Sequence, residues 1–170
     1  MLYEAINNNV KIAGKLFLNG KIVIYPTDTL YGIGVDATNT LSISLLNKFK
    51  KRETPLSIIV SSIDMLKRYS IVDVDTLDII KKLLPGSFTL LLNNNSKSNL
   101  SNKITLNTGK VGIRMPKSKF ILDVVNFIDR PIVTTSINYH NKKSINDINK
   151  IIESFNMFDI FKNDNIIESK

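Results

Sequence analysis

Short apolar runs of strand character alternate along this chain with segments of helical spacing, and that alternation most restricts what it can fold into. Lys21 to Tyr25 reads as a buried strand stopped by Pro26, Leu56 to Ser61 as a second and Phe88 to Leu92 as a third. Ile104 to Leu106, Val111 to Met115 and Ile132 to Thr135 are further strand candidates. Between them, residues 2 to 18 place Ile6, Val10, Ala13 and Phe17 at helical spacing, with Asn19-Gly20 as a stop. Thr40 caps a helix through about Phe49, Asp75 to Leu84 forms another closed by Pro85-Gly86, and Lys119 to Ile128 and Asp147 to Phe155 are two more. Gly32 and Gly34 permit a tight loop with close backbone approach. Asn93 to Asn102 is polar enough to read as an exposed loop, and the chain after Phe158 shows no clear period. The alternation predicts an α/β sandwich with a mixed, twisted sheet, partly antiparallel where connections between residues 86 and 115 are short. A length of 170 residues predicts one domain spanning 1–170.

Polar residues collect where these strands end. Tyr25 to Gly34, Lys50-Lys51-Arg52 and Ser136-Ile137-Asn138 each pair polar side chains two residues apart, which in extended backbone point to the same face. If the stretches converge, two cations, several hydroxyls and an amide line one cleft, an inventory suited to a phosphorylated ligand. Lys50 and Arg52 follow a helix, however, and would diverge by about 200° if it continued. They offer a point charge and a bidentate fork to a polyphosphate only if the chain is extended there; otherwise they are a basic helix end complementing the macrodipole. Val111 and Ile113 take one face of a strand and leave Arg114 on the other beside Gly112, where its fork suits a carboxylate or phosphate. Ser136 and Asn138 share parity with Thr134 and face one pocket, unless they only form a turn.

A net charge of +8 favours polyanions such as nucleotides and RNA, although many lysines, Lys142-Lys143 among them, read as solvated. The absence of cysteine excludes disulfides and thiolate chemistry and makes cytoplasmic residence the default. No apolar run approaches the roughly 18 residues of a membrane span. The Gly-Lys dipeptides at 14, 20 and 109 lack the following Ser or Thr of a phosphate-binding P-loop. Neither a dinucleotide fingerprint, a His-Glu-x-x-His site nor a Gly-x-Ser-x-Gly elbow occurs, and His140 reads as a solvated loop residue.

Six motifs in order resemble those of the YrdC/Sua5 family. They are Tyr25 to Gly34, Lys50-Lys51-Arg52, Pro55-Leu56, Pro85-Gly86-Ser87-Phe88-Thr89, Val111-Gly112-Ile113-Arg114-Met115-Pro116 and Ser136-Ile137-Asn138, and the likeness runs from about Lys21 to Ser144. The resemblance implies an open α/β fold with a large basic cleft. Its enzymatic members are threonylcarbamoyl-AMP synthases, nucleotidyltransferases that join L-threonine, bicarbonate or CO2, and ATP, releasing pyrophosphate. By similarity, Lys50 and Arg52 are catalytic and hold the ATP phosphates. Thr29, Arg114 and Ser136 bind threonine, with Arg114 on its carboxylate. Lys110, Asn138 and Ser144 contact ATP. Mg2+ travels with the triphosphate, and no separate protein metal site is implied. The product would feed the threonylcarbamoyl modification of adenosine 37 in tRNA, with pathway proteins performing the transfer.

Three departures stand out. Glu53-Thr54-Pro55 after Arg52 is about two residues shorter than the family's usual loop, the strand Leu56 to Ser61 lacks a histidine many members carry, and Asn141 replaces a glycine. The alternative reading is a relative that binds tRNA or double-stranded RNA without this activity. Against it stand an aromatic content of only 8%, sparse for base stacking, and no RNA-binding signature.

Overall fold

A computed structural model describes residues 1–51, 53–138 and 143–162. Its strands are β1 (Leu2–Glu4), β2 (Val23–Tyr25), β3 (Gly32–Gly34), β4 (Ser57–Ile59), β5 (Ser70–Ile71), β6 (Thr89–Asn94), β7 (Lys110–Arg114), β8 (Ile132–Ser136) and β9 (Asp159–Lys162). They form one mixed sheet in the order β1-β9-β2-β3-β8-β4-β7-β6-β5. The helices are α1 (Val10–Leu18), α2 (Thr40–Lys50), α3 (Ile63–Tyr69), α4 (Val74–Leu83), α5 (Asn102–Thr105), α6 (Lys119–Ile128) and α7 (Ile148–Phe155). The α/β class with a mixed sheet is as the alternation predicts. No helix among the described residues is long and apolar enough to cross a membrane.

Several elements differ from expectation. Residues 2 to 18 are not one helix: Asn7–Asn9 form only a 3₁₀ turn, because asparagine side chains compete with helical backbone, and α1 starts at Val10. The segment before them instead pairs in parallel with β9, Leu2 opposite Ile160 and Glu4 opposite Lys162. That pairing also gives the chain after Phe158 its strand. Ile104 to Leu106 is not a strand, since Ser101 caps a single helical turn that Leu106 ends in left-handed backbone at φ 46°. Ile104 is buried all the same, so its apolar character reported burial and not periodicity. The asparagine-rich loop begins two residues later than expected, as β6 continues to Asn94.

Gly32 and Gly34 lie in strand β3 and not in a loop, yet close approach is what they serve. A Cβ on Gly34 would come within 1.9 Å of the Val133 carbonyl oxygen, and one on Gly32 within 2.9 Å of the Tyr25 ring. Tyr25 is wholly buried, donates to the Val133 carbonyl oxygen at 3.2 Å and, through desolvation, has its phenol pKa pushed far above the usual value. Gly34→Ala is therefore expected to cost about 3 kcal/mol by overpacking, measured as a shifted urea midpoint at unchanged slope.

The apolar face of the sheet is covered by helices. Ile24, Ile33, Ile58, Ile113 and Val133 are fully buried with Ala13 and Phe17 of α1, Ile43 and Leu46 of α2, and Ile121 and Val124 of α6. The other face is open over β6 and β7. On β7 Val111 and Ile113 are buried, while Lys110 is exposed and Gly112 and Arg114 are half-buried; on β6 Thr89, Leu91 and Asn93 are exposed. Register brings Arg114 opposite Thr89, Gly112 opposite both Leu91 and Ser57, Ser57 opposite Thr134, and Ser136 opposite Gly32. Directly paired residues project to the same side, so these positions floor one cleft.

Candidate functional site

The loop from Pro26 to Tyr31 is shaped by one hydroxyl. Thr27 Oγ1 accepts from the backbone N–H of Thr29 at 3.2 Å and of Leu30 at 3.3 Å, and donates to the Leu30 carbonyl at 2.6 Å. Such a hydroxyl-centred turn folds the loop over the strand ends and presents Thr29 to Arg114, whose Nη2 donates to Thr29 Oγ1 at 2.7 Å. The same nitrogen donates to Asp28 Oδ1 at 2.8 Å. Both charged side chains are largely withdrawn from solvent, 16% and 10% exposed, so their attraction is less screened than at a surface. Arg114 Nε is buried and has no hydrogen-bond partner. An unmatched buried donor of this kind costs about 1–3 kcal/mol.

Beside this guanidinium lies a cavity of about 160 Å³, lined by Thr27, Thr29, Tyr31, Ser57, Thr89, Arg114, Thr134, Thr135 and Ser136, with Leu30 and Gly32. An adjoining cavity of about 320 Å³ is lined by Pro55, Leu56, Ser57, Leu91, Thr108, Lys110 and Gly112. Ser57 belongs to both. Gly112 keeps the floor between them low, since a Cβ there would meet Ser57 Oγ at 2.5 Å.

The structure thus brings Thr29, Arg114 and Ser136 to the first cavity and Lys110 to the second. Lys110 is exposed, and its Nζ donates to Asn93 Oδ1 at 2.6 Å. Lys50 is the last residue of α2 and is only 3% exposed. It is not the solvated basic helix end that its position suggested. Its Nζ donates to the carbonyls of Ser136 at 2.8 Å and Asn138 at 3.0 Å, and to Asn138 Oδ1. These three acceptors are uncharged oxygens. Lys51 ends the helix in left-handed backbone at φ 50°. Arg52, His140 and Asn141 lie outside the described residues. Ser144 is exposed and lines neither cavity, but Ile145 N–H donates to the Ile137 carbonyl at 2.7 Å, which sets this segment against the end of β8.

Asp28 is the residue whose part in the site the sequence reading missed. The two-residue parity that singled out Thr27 and Thr29 placed Asp28 on the opposite side, and no signal tied it to Arg114, 86 residues away. Ser57 and Thr89 escaped for a similar reason, since only the strand register reveals which face they share.

Comparison with known proteins bears on this cleft. A family model of the Sua5, YciO and YrdC proteins, described as telomere recombination, matches residues 15–169. The chain is 36% identical over 141 residues to a Methanocaldococcus jannaschii protein, covering 81% of this chain and 64% of that one. It is 31% identical to a Mus musculus threonylcarbamoyl-AMP synthase over 127 residues, covering 74% of this chain and 44% of the relative. The chain therefore spans less than two thirds of the length of these relatives. In structure it resembles Pyrococcus abyssi Sua5 complexed with L-threonine, with a TM-score of 0.87 at 24% identity, covering 96% of this chain and 50% of that one; this is a likeness of fold.

Proposed function

The chain belongs to the Sua5/YciO/YrdC family, and from that premise we propose that it is a nucleotidyltransferase making threonylcarbamoyl-AMP from L-threonine, bicarbonate or CO2, and ATP. The observation that carries this reading is the largely buried Arg114 guanidinium, held by Asp28 and Thr29 at a small hydroxyl-lined cavity that opens beside a larger one. The smaller cavity suits an amino acid, with its carboxylate on Arg114 and with Thr29 and Ser136 as further contacts. The larger, reached by Lys110, lies where a nucleotide would extend from it.

The threonine amine adds to CO2, losing a proton to give a carbamate. A carbamate oxygen then attacks the α-phosphorus of ATP, the bond to the β-phosphate bridge breaks, and pyrophosphate leaves. No protein nucleophile is needed; what is needed is alignment of the two reactants and positive charge against the phosphates. Lys50, fixed at the end of β8, supplies one such charge and Arg52 the second, with Asn138 and Ser144 on the nucleotide. Mg2+ enters as part of the MgATP substrate; among the described residues no group of three or more acidic, histidine or cysteine side chains gathers into a cage for it. The product would go to tRNA through partner proteins that transfer the threonylcarbamoyl group.

Purified protein incubated with ATP, L-threonine, bicarbonate and Mg2+ is expected to release pyrophosphate and threonylcarbamoyl-AMP only when threonine is present. Failure to form either product, with tight RNA binding that weakens steeply in salt, would replace this reading with the RNA-binding one.

A further inference from the structure

One carboxylate ties together three separate segments at the mouth of the amino-acid cavity. Asp28, in the loop after β2, accepts from Arg114 Nη2 at 2.8 Å on Oδ1. On Oδ2 it accepts from the Lys117 backbone N–H at 3.1 Å and from Ser87 Oγ at 3.3 Å. Lys117 lies just beyond β7 and Ser87 just before β6, so all three donors come from places that frame the cavity. Asp28 itself is not among the cavity's lining residues. It sits behind Arg114, where it touches the guanidinium without meeting a ligand.

We propose that Asp28 is a positioning residue for the amino-acid substrate: its carboxylate anchors the Arg114 guanidinium at the wall of the cavity, in place to meet a ligand carboxylate. The inference rests on the proposed function above. A guanidinium on a flexible stem loses side-chain freedom when it binds, and one already held by a carboxylate has less to lose. The other contact on that nitrogen, the Thr29 hydroxyl, is neutral, so it cannot replace a charge-assisted bond of comparable strength.

The test measures L-threonine binding by calorimetry without ATP, together with the Michaelis constants for threonine and ATP. Asp28→Ala is expected to weaken threonine binding and raise its Michaelis constant about tenfold, with ATP changed less than about twofold, the loss expected of one charge-assisted hydrogen bond. Asp28→Glu, which can still reach the guanidinium, is expected to recover most of that loss. Ser87→Ala should give a smaller shift of the same sign, and these two variants carry the test if Asp28→Ala does not fold. Wild-type threonine affinity in a folded Asp28→Ala, or an equal rise in both Michaelis constants, overturns the positioning role alone. A wild-type protein that binds no threonine removes the proposed function, and this inference with it.

Discussion

Arg114→Ala is expected to raise the Michaelis constant for L-threonine about a hundredfold while that for ATP moves less than about threefold, a loss of about 2.7 kcal/mol in threonine recognition. The size follows from what the guanidinium offers. It is largely buried, its Nε lacks a partner, and it lies at the end of β7 beside the smaller cavity. A carboxylate bound there gains charge-assisted hydrogen bonds worth about 1.5–3 kcal/mol each, partly offset by the cost of its own desolvation. The substitution also leaves Asp28 facing Ser87 and Lys117 without the Arg114 cation, which adds a stability loss to be read separately by thermal melting. Arg114→Lys is the informative companion. A lysine restores charge but not the planar edge of N–H donors, so it should recover little of the threonine affinity. If Arg114→Lys matches wild type, the site reads charge alone and the carboxylate grip assigned here is wrong. If Arg114→Ala binds threonine normally, the amino-acid cavity itself is misassigned.

How far such a site can be read from sequence depends on whether the information is local. Arg114 was legible because Val111 and Ile113 are apolar on alternate positions, which forces the arginine to the opposite face whatever the strand pairs with. Ser136 and Thr134 were legible by the same parity. Lys119–Ile128 was legible to the residue, since its apolar stripe carries five buried side chains on one face. Asp28, Ser57 and Thr89 were not, because their relevance arises from pairing between strands distant in the chain, and one sequence holds no register. The burial of Lys50 was hidden for a different reason. A lysine in the last turn of a helix satisfies the macrodipole, so nothing local distinguishes a solvated one from one buried against the next strand. Its burial depends on where β8 ends relative to α2, which only the assembled sheet determines.

That placement makes Lys50→Met the second decisive substitution, expected to lower kcat/KM about a hundredfold and stability by about 2–3 kcal/mol together. The two effects have separate origins. Stability falls because the carbonyls of Ser136 and Asn138 each lose a buried donor, and a methionine stem of similar length fills the space without offering one. On the proposed reaction, turnover falls because a positive charge set against the ATP phosphates is lost, and because Ser136 and Asn138 are no longer fixed at the end of β8. Lys50→Arg separates charge from pinning. It keeps the cation, but its planar fork cannot direct donors onto three oxygens converging on a single nitrogen, as Nζ does here. Recovery of less than about a tenth of wild-type kcat/KM in Lys50→Arg is therefore expected, with most of the stability loss remaining. Near-complete rescue by arginine would mean that Lys50 contributes only its charge and that the end of β8 holds its position without it. Wild-type turnover in Lys50→Met would place the phosphate-neutralising charge elsewhere in the cleft and return Lys50 to a purely structural bond between α2 and β8.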